Sequence, residues 1–184
     1  MSQSGYKIRN KEAVHFVSFA VVEWLDVFTR KEYVNVVIDS LKHCQKAKGL
    51  KIHAWCVMSN HMHLVISANN NDLSDILRDF KKFTSKELVQ MISENPFESR
   101  KKWMLNIFRS NGESNTRNKT FQFWQQDNQP KELYSSGFID QKLAYIHDNP
   151  VEAGLVDEPC EYVYSSARDY ENANRKGLID IDFI

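Results

Sequence analysis

His61 and His63 flank Met62 in the run VMSNHMHLVI, a spacing suited to holding a metal. Side chains of a β-strand alternate faces with period two, so both imidazoles project to one side and Met62 to the other. Two imidazoles on one face make half of a metal site. A strand start beside a turn puts them at a sheet surface rather than in a closed core. Taken alone, the pair fits two hydrogen-bonded histidines with no metal better than it fits a ligand pair. A second pattern lies in YIHDNPVEAGLV, where helical spacing sets Tyr145 and Asn149 one turn apart on a common face, separate from the stripe of Ile139, Leu143 and Ile146. A phenol and an amide can thus be presented together to the two imidazoles.

The elements that must position these groups are legible from periodicity. AVHFVSFAVVEWL (13–25) is apolar and β-branched, a strand with Phe16, Ser18 and Ala20 on one face and Val17, Phe19 and Val21 on the other. Residues 32–49 carry apolar positions at 33, 34, 37, 38 and 41 and end on Gly49, an amphipathic helix with a glycine C-cap. LKIHAWCVMS (50–59) and HMHLVIS (61–67) form a hairpin whose returning arm opens on the histidines. Asp72 caps a helix over 73–93 with Leu73, Ile76, Leu77, Phe80, Leu88 and Met91 as its core stripe.

RKKWMLNIFR (100–109) is basic and aromatic, and the polar run 110–119 predicts a mobile loop. FQFWQQ (121–126) is a short apolar segment. KELYSS (131–136) predicts a fourth strand, and SGFIDQKLAYIHDN (136–149) a serine-capped helix that stops at the Asn149-Pro150 break. Trp24 and Trp55 read as core, whereas Trp103 and Trp124 stand in irregular segments where an indole can stack on a base. The order β-α-β-β-α-β followed by a further helix predicts an α+β, ferredoxin-like split βαβ sandwich: an antiparallel sheet with helices on one face and an added C-terminal helix.

The chain has 184 residues, 42% of them hydrophobic, which predicts one domain spanning 1–184 with a sizeable core. No apolar run approaches the roughly 20 residues that span a bilayer, and the N-terminus lacks the apolar block of a signal peptide, so a cytoplasmic protein with no membrane partner is expected. Cys44, Cys56 and Cys160 form no CxxC pair, which excludes a disulfide framework and a thiolate zinc site and leaves buried, reduced thiols. The 24 basic and 24 acidic residues cancel overall. They do not cancel locally: residues 78–119 hold ten basic against five acidic side chains, and residues 137–184 hold four against ten. A polyanion would therefore meet the middle of the chain, where Arg78, Lys81, Lys82 and Lys86 lie off the core stripe of their helix.

WCVMSNHMHLVI, FWQQ, YIHDNPVEAGLV and the YxYSSA segment at 162–167 occur together in an order that resembles the REP-associated tyrosine transposases of the single-tyrosine HUH superfamily, across roughly residues 13–170. The resemblance implies that His61 and His63 bind a divalent cation, Mg²⁺ or Mn²⁺, that Asn149 supplies a further ligand, and that Tyr145 is the nucleophile. It implies a metal-dependent strand transferase that cuts and rejoins single-stranded DNA beside hairpins through a 5′-phosphotyrosine, acting as a monomer or homodimer. Trp124 and Gln125 of FWQQ would join the basic helix in contacting DNA.

These residue types suit that chemistry. A cation neutralises the phosphodiester charge that repels nucleophiles, and exchange of one ester for another needs no ATP, in keeping with a sequence that has no GxxxxGK[ST] loop. The rival expectation is a domesticated DNA-hairpin-binding protein that keeps the fold without turnover. An RNA-binding module of the same fold would want exposed aromatics on its central strands, and no such run is present.

Overall fold

Strand β1 (His15–Ala20) leads through two 3₁₀ turns, Val22–Trp24 and Val27–Thr29, into helix α1 (Lys31–Lys48). A hairpin of β2 (Leu50–Val57) and β3 (His61–Ala68) follows, then α2 (Leu73–Glu94) and α3 (Lys101–Glu113). A two-residue strand β4 (Lys131–Glu132), helix α4 (Ser136–Glu152) and a short helix α5 (Ala167–Glu171) complete the order. This computed structural model describes residues 8, 10, 13–69, 72–114, 120–126, 130–172 and 177–184. The sheet runs β2-β3-β1-β4, with every neighbouring pair antiparallel. That is the split βαβ arrangement expected from the element order, with the hairpin's second arm and β1 at its centre.

Alternation along the strands divides the core in two. Val17 and Phe19 of β1, Ile52, Trp55 and Val57 of β2, and Met62, Leu64 and Ile66 of β3 join the larger cluster, closed by Tyr33, Val37 and Leu41 of α1 and by Leu73, Phe80, Leu88 and Ile92 of α2. Phe16, Ala54, Cys56 and Val65 face the other way and meet Leu143 and Ile146 of α4. The added helix therefore lies on the sheet face opposite α1 and α2, the face onto which β3 projects His61 and His63.

Local sequence explains most boundaries. Asp72 accepts a hydrogen bond from the backbone N–H of Ser74 at the start of α2, and Gly49 ends α1 at φ 70°, where a side chain would be strained. The cap of α4 is Ser135, which accepts from Phe138 N–H. The expected break at Pro150 does not occur, because a proline near a helix end forgoes only one backbone bond. Termination comes instead at Gly154 (φ 68°), where Leu155 N–H donates to Pro150 and Gly154 N–H to Val151.

Three further expectations change. The strand expected over 13–25 stops at Ala20, since Glu23 and Trp24 both take a positive φ of 52°. Trp24 is consequently 57% exposed rather than core, while Trp55 is fully buried. Residues 101–109 belong to α3, which continues through 110–113 of the expected loop; residues 115–119 lie outside the described residues. The fourth strand is shorter than expected, two residues only. Cys44 and Cys56 are buried and Cys160 half-buried, all three as free thiols. Among the described residues no helix is long and apolar enough to cross a membrane.

Candidate active site

The histidines gain their place from pairing. Ser18 of β1 stands opposite His63 of β3, and Ala20 opposite His61, so both imidazoles emerge at the end of the central strand pair on the α4 face. The turn before them is braced: Val21 N–H donates to Asn60 C=O, Phe28 N–H to Ser59 C=O, and Met58 N–H to His61 C=O. α4 is docked from its far side by the YxYSSA segment. Tyr162 Oη donates to the Val57 carbonyl, Ser165 forms a bridge to Cys56, and Ser166 bonds both Trp55 and His147 of α4. His147, half-buried in this clasp with its pKa lowered to about 4 by desolvation, is a structural histidine.

With α4 so fixed, Tyr145 lies edge-on to His63, ring centroids 5.2 Å apart, and edge-on to Phe16 at 5.9 Å. The two histidine rings are 4.8 Å apart. Asn149, one turn beyond Tyr145, brings its side chain close enough to act on the His61 imidazole. Lys142, one turn before, sets its Nζ 5.1 Å from the centre of the Tyr145 ring and 4.9 Å from that of Phe16. Tyr145 is 40% exposed, so the cluster is open to solvent on the tyrosine's side.

The neighbours fix which imidazole nitrogens are available. Asp26 Oδ1 accepts from Ser59 Oγ (2.6 Å) and Asn60 Nδ2 (3.1 Å). A carboxylate oxygen only accepts, so the Asn60 amide must turn its NH₂ toward Asp26 and its carbonyl toward His61. His61 Nδ1 then donates to Asn60 Oδ1 at 2.7 Å, which leaves the Nε2 lone pair to serve as a ligand. His63 Nδ1 lies 2.7 Å from Ser18 Oγ, while its Nε2 is buried without a hydrogen-bond partner. Ser18 can accept from Nδ1, the tautomer that frees Nε2 as a ligand.

Burial lowers the pKa of both imidazoles. His63 falls to about 3, through desolvation first and then the nearby His61 and Lys142, and desolvation likewise lowers His61 against the opposing bond from Asn149. Both are neutral at pH 7, the form that coordinates a cation. The orphaned Nε2 of His63, the lone pair of His61 and the Asn149 amide fit a weakly held divalent ion. No cluster of three or more His, Cys, Asp or Glu is gathered among the described residues, and the side chains that could hold an ion here are two imidazoles and an amide.

The model of the family described as "Transposase IS200 like" matches residues 13–122, more than half of the chain, and spans both histidines. The chain belongs to the IS200-like transposase family. A solved structure described as a REP-associated tyrosine transposase bound to a REP hairpin has the same fold, with TM-score 0.64 and 17% identity over 99% of this chain and 96% of that one. No curated protein sequence matches. Tyr145 and Asn149 lie beyond the segment matched to the transposase family, so their place beside the histidines rests on the packing of α4.

The expected DNA-contacting residues fall into separate groups. Arg78, Lys82 and Lys86 are exposed on the outer side of α2, with the helical layer and the sheet between them and the histidines. Arg78 is paired with Asp75 and Asp79. Lys81 turns toward the site end of the sheet, donating to the Gln125 carbonyl at 2.9 Å. Trp124 corrects the expectation of base stacking: it is buried against Phe19 and Phe28, and its indole N–H donates to Thr84. Gln125 stays half-buried, bonded to the ends of β1 through Ala20 and Val21.

Sequence reasoning missed the supporting roles of Ser18, Asn60, Asp26 and Phe16. Only Ser18 carried a signal, as a polar residue within an apolar strand.

Proposed function

We propose that this transposase-family chain is a metal-dependent DNA strand transferase that cuts and rejoins single-stranded DNA beside hairpins through Tyr145. The observation that carries the reading is the convergence of Tyr145 on His63 and of Asn149 on His61, from a helix and a strand about 80 residues apart in sequence. His61, His63 and Asn149 would hold Mg²⁺ or Mn²⁺. When bound, such an ion supplies Lewis-acid polarisation of the phosphate and stabilises charge on the leaving oxygen.

Tyr145 Oη attacks phosphorus and forms the new P–O bond as the bond from phosphorus to the 3′ oxygen breaks. The 5′-phosphate of the downstream fragment becomes esterified to Tyr145, and the 3′ oxygen of the upstream fragment leaves and takes up a proton as a free hydroxyl. Lys142, whose Nζ lies 5.1 Å from the centre of the phenol ring, would stabilise negative charge developing on Tyr145 Oη as its proton passes to solvent. Phe16 and His63 hold the ring from two sides, so the nucleophile is oriented before substrate arrives. Attack of a 3′-hydroxyl on the phosphotyrosine reverses the step and joins strands. The hairpin named for the solved neighbour supports a hairpin as the partner here.

Labelled single-stranded DNA carrying a hairpin, incubated with the protein and Mn²⁺ and resolved on a denaturing gel, tests the reading. A protein-linked DNA band is expected from the wild type and none from Tyr145→Phe, with hairpin affinity unchanged. Hairpin binding without any cleavage would favour a non-catalytic binder. Cleavage to a free 5′-phosphate with no adduct would make water the nucleophile.

A further inference from the structure

Beyond the histidine end of the sheet, the 3₁₀ turn after β1 and helix α3 enclose a cleft of about 500 Å³, a size that admits a small planar ligand. Its walls carry two exposed indoles, Trp24 (57%) and Trp103 (54%), and its lining adds Asn106, Asn111, Glu23 and Asp26. A second cleft of about 390 Å³ shares Trp24 and Asn111 and is completed by Gln122, Gln125 and Gln126. Trp24 thus separates two amide-lined clefts. Its ring also lies edge-on to His61 with centroids 5.7 Å apart, which sets the indole shared by both clefts beside the proposed metal end of the site.

The backbone presents this indole at a conformational cost. Glu23 and Trp24 both hold φ near 52°, a region that L residues rarely adopt and that occurs here at two consecutive positions. The lining chemistry narrows the occupant. Carboxylates beside the indoles repel phosphate, whereas side-chain amides and indole faces suit an uncharged ring with donor and acceptor edges. Lys102 and Arg109 are both exposed and lie two helical turns apart along α3, about 10 Å, bordering the row formed by Trp103, Asn106 and Ser110. Cations border the cleft and amides line it, the arrangement of a single-strand groove with stacking platforms.

We infer that the Trp24–Trp103 cleft is a nucleobase subsite, taking an unpaired base of the DNA strand next to the phosphate presented to Tyr145. The inference rests on the strand-transferase reading above, which leaves unassigned the path of the strand away from the nucleophile.

The test uses the full chain without divalent metal and 12-nucleotide single-stranded DNAs carrying 5-iododeoxyuridine at each position in turn. Irradiation and peptide mapping should place photoadducts on Trp24 or Trp103, from one or two adjacent positions. Trp24→Ala and, on the separate helix, Trp103→Ala should each weaken binding of the oligonucleotide about 5- to 100-fold. Trp24→Phe should recover part of that loss, and affinity for a blunt hairpin without unpaired flanks should not move. Photoadducts elsewhere, with both alanine variants binding as wild type, would overturn the subsite and leave the strand-transferase reading intact. Equal loss of oligonucleotide and blunt-hairpin binding would make Trp24 a structural residue and also overturn it. A wild-type protein that binds neither DNA would remove the function reading together with the subsite.

Discussion

On one face of the sheet, Val17, Phe19, Met62, Leu64 and Ile66 are sealed beneath α1 and α2 with apolar side chains throughout. On the other, Phe16 and Val65 meet Leu143 and Ile146 of α4, while the same two central strands project Ser18, His61 and His63 beside a half-open tyrosine. The strands are shared and only the alternation differs. Even-numbered residues of β1 and odd-numbered residues of β3 line the candidate site, and their immediate neighbours carry the stability. A one-residue slip of either strand would exchange the two sets, so the large apolar face also fixes the register of the site.

The comparison is broken most severely at the helical face. Phe80, buried between α2 and Phe19, should cost about 3–5 kcal/mol of unfolding free energy when changed to alanine, measured by denaturant titration. The variant's adduct yield per folded molecule should be unchanged at low temperature. A lost adduct with little lost stability would mean that the two faces are not separable in this way.

What was legible in the sequence follows the same division. The helical face announced itself through period-3.6 stripes in α1 and α2 and through the strand alternation, because apolar burial is a repeating pattern. The histidine pair was legible from its spacing and Tyr145 from its helix. The partners of the histidines were not, since Ser18 meets His63 only through a pairing of strands 45 residues apart and Asp26 reaches Asn60 only through the 3₁₀ turns. Trp24 was misplaced as core for a related reason: the apolar run continues to Leu25, but two positive-φ residues end the strand early and turn the indole outward. Trp124 was misplaced in the other direction, because a short segment flanked by glutamines gives no period from which to see that it covers Phe19 and Phe28.

A smaller effect should appear at the outer end of the helical layer. Glu98 is buried between Arg30 and Arg100, at 2.8 and 3.0 Å, and the Arg100 guanidinium above all holds its carboxyl down at about 2 against the cost of burial. A folded-state pKa below the unfolded value of about 4.5 contributes stability that is complete above that pH and is lost as pH falls toward 2. On the order of 2–3 kcal/mol should disappear across that window in acid titrations of the wild type, and Glu98→Gln should flatten it. An acid profile identical in the variant would remove this clasp from the account.

The smallest expected effect sharpens the site face. Ser18→Ala removes the hydrogen-bond partner of His63 Nδ1. Stability should fall by about 1–2 kcal/mol, and Mn²⁺ affinity, read by electron paramagnetic resonance, by about tenfold or more. Unchanged Mn²⁺ binding would separate Ser18 from the ligand shell.

The most direct test of the whole account is peptide mapping of the protein–DNA adduct after protease and nuclease digestion. The phosphonucleotide should lie on Tyr145 alone, with Tyr6, Tyr33, Tyr134, Tyr162, Tyr164 and Tyr170 unmodified. An adduct on any of those, or one that persists in Tyr145→Phe, would contradict it.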